Sequence, residues 1–154
     1  MSFRIIGLPA EPFAELFSLS PEELAARGAV RRTGREKPGY PCRISLTDAR
    51  AGDEVILVNY EHQDADTPYR SRHAVYVRAG EQRYEAVDAI PEQLCKRLLS
   101  ARAFDAEDML VDADVSEGKA LEPLIARLFA DAQVAYLHLH YARPGCYAAR
   151  VDRA

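Results

Sequence analysis

The amino-acid sequence predicts an α+β fold, a single domain of residues 1–154 with a mainly antiparallel sheet and three to four helices packed on it. Strand patterns come in adjacent pairs separated by turn residues, and helical patterns fall between these groups rather than after every strand. A chain of 154 residues is about one domain long, and its 48% of hydrophobic residues can form a core without disulfides.

The first part of the chain predicts one strand and two short helices. Residues 3–9 (FRIIGLP) have the composition of a strand, and apolar residues at helical spacing follow over residues 13–17. Ser20 and Glu23 have the spacing of a capping box at the start of a helix, and Gly28 suits the left-handed position that ends it.

The middle of the chain predicts mostly strands. Pro38, Gly39 and Pro41 indicate a loop before a strand near residues 43–46. The apolar run that opens residues 55–62 is typical of a strand covered on both faces. Shorter strands are predicted over residues 73–78 and 84–87.

The last third predicts two helices and two hairpins. Leu94 and Leu98, four residues apart, indicate a short helix within residues 90–99. The longest helix is predicted from about Lys119 to Ala132, with Pro123 in its first turn. The hairpin strands are predicted over residues 99–105 and 109–116, and over residues 134–142 and 146–151.

Charge and hydropathy argue against nucleic acid and membrane as partners. The net charge is -4, and the one basic cluster, Arg27, Arg31, Arg32, Arg35 and Lys37, is interpreted as a solvated strand and loop. Apolar runs are far shorter than the roughly 18–20 residues that cross a bilayer. No signal-peptide pattern opens the sequence, so a cytoplasmic location is expected. No dinucleotide or phosphate-loop motif is present, and the sequence indicates no particular cofactor or oligomeric state.

The stretch AYLHLHYA places two histidines on one face of a predicted strand. Tyr136, His138 and His140 alternate with Leu137 and Leu139, and alternate residues of a strand point to the same side. The leucine face is expected in the core. Histidine at such a position can bind a metal ion or act as a general base near neutral pH.

The polar connection of residues 59–73 is the best loop candidate for a binding site. It contributes His62, Tyr69, Arg70 and His73, and an arginine here can hold a carboxylate or phosphate; a merely solvated loop remains an alternative. The leading hypothesis is that a small polar or anionic ligand binds the histidine-bearing face beneath this loop. The predicted ligand-binding residues are His62, Tyr69, Arg70, His73, Tyr136, His138 and His140.

Three other functions remain open. The four histidines, His62, His73, His138 and His140, are candidate metal ligands, although two histidines two apart are a weak signal on their own. An enzyme could use His138 or His140 as a base, with or without Cys146 as nucleophile. An interaction module could pack its tyrosines, such as Tyr136 and Tyr147, against a partner chain.

The place of Cys146 depends on the turn before it. A two-residue turn of Pro144 and Gly145 puts Cys146 on the face away from the histidines, and a three-residue turn puts it in the turn itself. In both registers it is separated from His138 and His140, so it is not expected to be a histidine-activated nucleophile. Three cysteines without an export signal indicate free thiols.

Three segments resemble a known family. They are PGCYAARVDRA (residues 144–154), NYEHQDADTPYRSRHAVYV (residues 59–77) and RAFDAEDMLVDADV (residues 102–115). Together they are similar to a family of bacterial proteins known as domain of unknown function 1203, and the similarity extends over nearly the whole chain. The resemblance implies a bacterial protein and assigns no activity, cofactor or catalytic residue.

Overall fold

The structure is a computed structural model that describes residues 1–36 and 39–154. Its strands are β1 (Phe3–Ile6), β2 (Ala29–Thr33), β3 (Glu54–Gln63), β4 (Ser71–Arg78), β5 (Glu85–Val87), β6 (Leu98–Phe104), β7 (Leu110–Glu117), β8 (Tyr136–Tyr141) and β9 (Tyr147–Arg153). Its α-helices are α1 (Pro21–Ala26), α2 (Glu92–Cys95) and α3 (Leu121–Phe129). A 3-10 helix spans Glu11–Ser18, and a second, Gly118–Ala120, leads directly into α3.

The strands form two antiparallel sheets. The larger sheet has the strand order β5-β1-β9-β8-β6-β7, and the smaller one has the order β2-β3-β4. Every paired strand runs antiparallel to its neighbour in these sheets. The predicted α+β class is therefore confirmed, with the strands divided between two sheets.

The N-terminal helices form where the sequence pattern places them. Glu23 N donates to Ser20 Oγ at 3.2 Å, and Ser20 N donates to Glu23 Oε2 at 2.8 Å, which is the predicted capping box of α1. Gly28 ends this helix at a φ of +64°, a conformation that glycine adopts without the steric cost of a side chain.

Two element predictions were wrong. Residues 43–46 form a turn instead of a strand, because Cys42 N donates to Thr47 O and Leu46 has a φ of +52°, which is incompatible with extended backbone. The helix predicted over residues 90–99 stops at Cys95. Leu98 instead starts β6, where it pairs with Glu117, so strand pairing overrides its helical spacing from Leu94.

The last helix is shorter than predicted, and part of the basic cluster forms ion pairs. α3 begins at Leu121, with Pro123 in its first turn as expected, and ends at Phe129. Arg27 pairs with Glu15 and Arg31 pairs with Glu54, whereas Lys37 lies outside the described residues.

Two cores hold the sheets in place. One packs α3 against the leucine face of β8 and its neighbours, with Leu121, Ile125, Leu137 and Leu139 at most 1% exposed. The other packs the smaller sheet against the first 3-10 helix and reaches Tyr147 of β9. The opposite face of β8 therefore lies between the two sheets. Among the helices of residues 1–36 and 39–154, none is long and apolar enough to span a membrane.

Candidate functional site

The face of β8 that carries Tyr136, His138 and His140 is buried between the sheets. Leu137 and Leu139 are fully buried on the opposite face, so the predicted alternation is confirmed. The histidine face is not open to solvent, because His138 is only 3% exposed and His140 only 4%. The smaller sheet covers this face, and its His62 and His73 rings pack against the β8 histidines.

The other two histidines lie on adjacent strands of the smaller sheet. His62 lies near the end of β3, at a register irregularity between Glu61 and Gln63, and His73 lies near the start of β4. Their rings stack with centroids 4.8 Å apart, and His62 Nε2 lies 2.6 Å from His73 Nδ1, a hydrogen bond. A bulge re-aims side chains, and here it accompanies the turn of His62 toward β8.

All four histidines of the chain meet at this point. The His62 ring centroid lies 5.8 Å from that of His138 and 5.3 Å from that of His140, and the His73 centroid lies 5.2 Å from that of His140. One ring nitrogen from each of His62, His138 and His140 lies within 4.8 Å of the other two. We call these three residues the histidine cluster.

Each member of the histidine cluster has a buried nitrogen without a hydrogen-bond partner among the described residues. These atoms are His62 Nδ1, His138 Nδ1 and His140 Nε2. The other nitrogen of His140, Nδ1, lies 2.9 Å from the Gly145 carbonyl, which can only accept, so Nδ1 carries the proton and Nε2 presents a lone pair. Unpaired buried nitrogens are costly, which makes them unusual in a site without a ligand.

Burial keeps the cluster neutral. It lowers the pKa of His62 to about 3, of His138 to about 2 and of His140 to about 4, with further lowering from the neighbouring histidines and from nearby arginines. The hydrogen bond to Gly145 acts in the opposite direction on His140. Neutral imidazoles are metal ligands, but bases this weak are poorly matched to proton abstraction near pH 7.

Aromatic side chains enclose the cluster. The Tyr147 ring stacks on His62 with centroids 4.6 Å apart and an angle of 13° between the planes. Tyr136 and Tyr147 are each 4% exposed, so both are packed within this chain rather than displayed for a partner. Sequence reasoning did not place Tyr147 at the site, and the only signal for it was its position in the strand after the histidine strand.

A hydrogen-bonded network fixes Tyr136 beside the cluster. Its hydroxyl donates to Asp108 Oδ1 at 2.6 Å and accepts from Gln63 Nε2 at 2.8 Å, and the Arg150 guanidinium lies 3.9 Å from its ring centroid. Burial and the bond to Asp108 raise the pKa of Tyr136 to about 12. The Tyr136 hydroxyl therefore stays neutral, and its two hydrogen bonds hold the ring in place beside the histidine cluster.

The loop candidates lie apart from the histidines' unpaired nitrogens. Tyr69 packs edge-on against Phe104, with ring centroids 5.8 Å apart. Arg70 pairs with Glu61 at 3.1 Å, and its side chain is 51% exposed. The predicted ligand set is thus split: the four histidines and Tyr136 converge, whereas Arg70 faces solvent.

Cys146 lies in the connection between β8 and β9, where the longer predicted turn places it, but the strand register matches neither prediction. His138 pairs with Arg150, and His140 pairs with Tyr147, because a five-residue connection of residues 142–146 and a register irregularity between Leu139 and His140 separate the strands. The Cys146 Sγ lies 3.9 Å from the Pro144 carbonyl, and it is outside the histidine cluster. Cys42 is buried, Cys95 is half-buried, and all three thiols are free.

A small opening leads to the edge of the cluster. A cavity of about 290 Å³ is lined by His73, Ser100, Arg102 and His140, together with the backbone near Gly145. The site can therefore hold a buried ion against neutral imidazoles and admit a small molecule past Arg102.

Comparison with known proteins gives one match. The searches of curated proteins and of solved structures found no match. A family model described as protein of unknown function (DUF1203) matches residues 39–153, which include all four histidines and β3 through β9. The chain therefore belongs to the DUF1203 family.

Proposed function

We propose that this protein binds one divalent first-row transition-metal ion, such as zinc, through His62, His138 and His140, with a small anion at the remaining coordination position. Two observations support the proposal. One ring nitrogen from each of the three histidines lies within 4.8 Å of the other two, and each histidine has a buried ring nitrogen without a hydrogen-bond partner among the described residues. Imidazole is a ligand of zinc, copper, nickel and iron, and three such ligands leave a fourth position open on a tetrahedral ion.

The spacing of the nitrogens is compatible with an ion after a small contraction. Zinc–nitrogen bonds of about 2.0–2.1 Å in a tetrahedron separate the nitrogens by about 3.3 Å. The cluster's ligand atoms lie within 4.8 Å of one another, so side-chain rotations that close the largest gap by about 1.5 Å complete the site.

The partners of the histidines suit this role. Metal-bound histidine usually donates its second ring N–H to a neighbouring acceptor, which fixes the ring. His140 makes this contact with the Gly145 carbonyl, and His62 makes it with His73 Nδ1 when its own Nε2 carries the proton. His73 is then a positioning residue for His62.

The positive charge around the histidine cluster favours an anion bound to the ion. Three neutral imidazoles bring no negative charge, while Arg102 and Arg150 both disfavour additional positive charge at His138. A hydroxide or carboxylate on the ion offsets this repulsion, and the cavity beside Arg102 and Ser100 provides its route. This anion corresponds to the small polar or anionic ligand that the sequence predicts. We further infer a cytoplasmic location, where the three free thiols stay reduced.

Zinc titration of metal-depleted protein tests the proposal. Calorimetry and metal analysis after dialysis are expected to give one zinc per chain, with binding lost in His138→Gln and His140→Gln. His73→Gln is expected to weaken binding by about 10–100-fold, as for other residues that orient a ligand. Arg70→Gln is the matched control and is expected to bind zinc like the unmodified protein. Equal zinc affinity in the unmodified protein, His138→Gln and His140→Gln, or no binding at all, would overturn the proposal.

A further inference from the structure

A second and larger cavity also lies beside the β8–β9 turn, and Tyr141 is the one described residue that lines both it and the histidine opening. Its volume is about 550 Å³, within the range of roughly 300–1,000 Å³ that is usual for small-molecule sites. β3 contributes Leu57, β4 contributes Tyr76, β6 contributes Leu98, and the residue after the turn, Cys146, completes the wall. None of the histidine cluster lines it, so it is separate from the proposed metal site.

Aromatic rings form one wall of this cavity. Tyr40 and Tyr76 stack with centroids 4.3 Å apart and planes 10° from parallel, and the buried Tyr141 lies on the lining as well. Together with Leu57 and Leu98, these rings offer an apolar, flat-sided surface. Such a surface suits a planar or apolar ligand body.

A buried positive charge lies on the same lining. Arg43 is only 2% exposed; its Nε donates to the Tyr147 carbonyl at 2.9 Å, and its Nη1 donates to the Pro41 carbonyl at 2.7 Å. Both acceptors are uncharged, and no carboxylate in residues 1–36 and 39–154 lies within ion-pair distance of the guanidinium. The guanidinium carbon also lies 4.8 Å from the centroid of the Tyr141 ring, a further uncharged partner, and burial lowers the pKa of Arg43. Buried charges are normally paired, so an unpaired one facing a cavity indicates a place for an anion.

The rest of the lining is also positive. Lys96, Arg97 and Arg143 join Arg43 there, against the single carboxylate of Glu117. Lys96 and Arg97 already pair with carboxylates elsewhere, which leaves Arg43 and Arg143 as the charges without such a partner in the described part of the chain. A cationic cavity in a chain of net charge -4 selects for negative ligands.

We propose that this cavity binds a small organic anion with an aromatic or apolar body, its carboxylate or phosphate facing Arg43 and its body lying against Tyr76 and Leu98. The class of ligand follows from the joint presence of a buried unpaired guanidinium and an aromatic, apolar wall. The site does not depend on the metal ion, and the two can be tested separately.

Benzoate is a suitable first probe, with benzyl alcohol as its uncharged counterpart. NMR titration of the unmodified protein is expected to show benzoate shifting the amide signals of residues that line the cavity. Benzoate is expected to bind at least about tenfold more tightly than benzyl alcohol, the ratio that one hydrogen bond to a charged group supplies. Since Cys146 lines the cavity and Cys95 does not, saturating benzoate is expected to slow iodoacetamide alkylation of Cys146 alone.

Two variants separate the charge from the cavity. Arg43→Met keeps the side-chain length and is expected to remove the preference for benzoate over benzyl alcohol. Ala74→Trp fills the cavity from an exposed strand position, and it is expected to abolish binding of both compounds while leaving Arg43 in place. If Arg43→Met does not fold, Ala74→Trp and the comparison of benzoate with benzyl alcohol in the unmodified protein still test whether the cavity binds an anion. Equal affinity for the two compounds, shifts confined to residues outside the cavity, or benzoate binding retained in Ala74→Trp would overturn the proposal.

Discussion

Acidification from pH 7 to pH 5 is expected to destabilise this protein through its buried histidines. Burial lowers the pKa of His138 to about 2 and of His140 to about 4, whereas an unfolded histidine has the ordinary value of about 6.5. Below pH 6.5 these histidines therefore bind protons in the unfolded chain but stay neutral in the folded chain. Stability is highest above pH 6.5 and falls as the pH drops toward the folded values.

The size of the effect follows from these values. Each histidine contributes about 1.36 kcal/mol per pH unit once the unfolded chain is protonated, which gives about 2 kcal/mol per histidine between pH 7 and pH 5. His138 and His140, the two most buried, together give about 4 kcal/mol, a large part of the roughly 5–15 kcal/mol typical of a folded domain, and His62, whose pKa burial lowers to about 3, changes stability in the same direction. Carboxylates are protonated mainly below pH 5, so the interval from pH 6.5 to pH 5 isolates the histidines.

Urea unfolding, followed by circular dichroism at several pH values with a chelator present, measures this change. His138→Gln and His140→Gln should each reduce the slope of unfolding free energy against pH by about 1.36 kcal/mol per pH unit. Ser20→Ala is the matched control, since loss of a helix cap lowers stability equally across this interval. An unfolding free energy that stays constant from pH 6.5 to pH 5 would refute the assignment of two buried neutral histidines.

Three further substitutions are expected to destabilise the fold, and urea unfolding at pH 7 checks each. Gly118→Ala places a Cβ 1.8 Å from the Leu94 carbonyl oxygen, so the backbone must shift, at a cost of about 1–3 kcal/mol; an unchanged midpoint would contradict this close approach. The buried Tyr141 hydroxyl donates to Gln93 Oε1 at 2.5 Å, so Gln93→Leu removes its acceptor and should lower the free energy of unfolding by about 1–3 kcal/mol. Adding Tyr141→Phe to this variant should restore part of the lost stability, because the unpaired hydroxyl is then absent. Ser20→Ala removes the cap of α1 and should cost about 1 kcal/mol, whereas Ser20→Asp should be nearly neutral.

Local patterns predicted the strand that carries two of the histidines. The alternation of leucine and histidine in β8 places Leu137 and Leu139 in one core and His138 and His140 on the other face, and the structure has this arrangement. The capping box of α1 was equally visible, because its two hydrogen bonds join residues three positions apart. Both features depend on short-range geometry, which a single sequence specifies well.

Long-range packing determined what the sequence could not predict. The sequence analysis named His62 and His138 as candidate ligands of one site, but not the two sheets whose packing brings their rings together, because alternation within a strand says nothing about which sheets meet. The position of Cys146 depends on a bulge and a five-residue connection, and turn preferences alone did not select them. Arg43 was predicted only as part of a strand near residues 43–46, and its burial beside a cavity had no signal in the sequence.

Crystals of the protein soaked in zinc, with anomalous diffraction recorded on both sides of the zinc absorption edge, test the metal site most directly. We expect one strong anomalous peak between the two sheets, about 2.0–2.1 Å from one ring nitrogen of each of His62, His138 and His140. We also expect His140 Nδ1 to keep its contact with the Gly145 carbonyl, so that Nε2 faces the ion. Zinc bound only at surface carboxylates or at the thiols of Cys95 and Cys146, with the histidine cluster empty, would contradict the account.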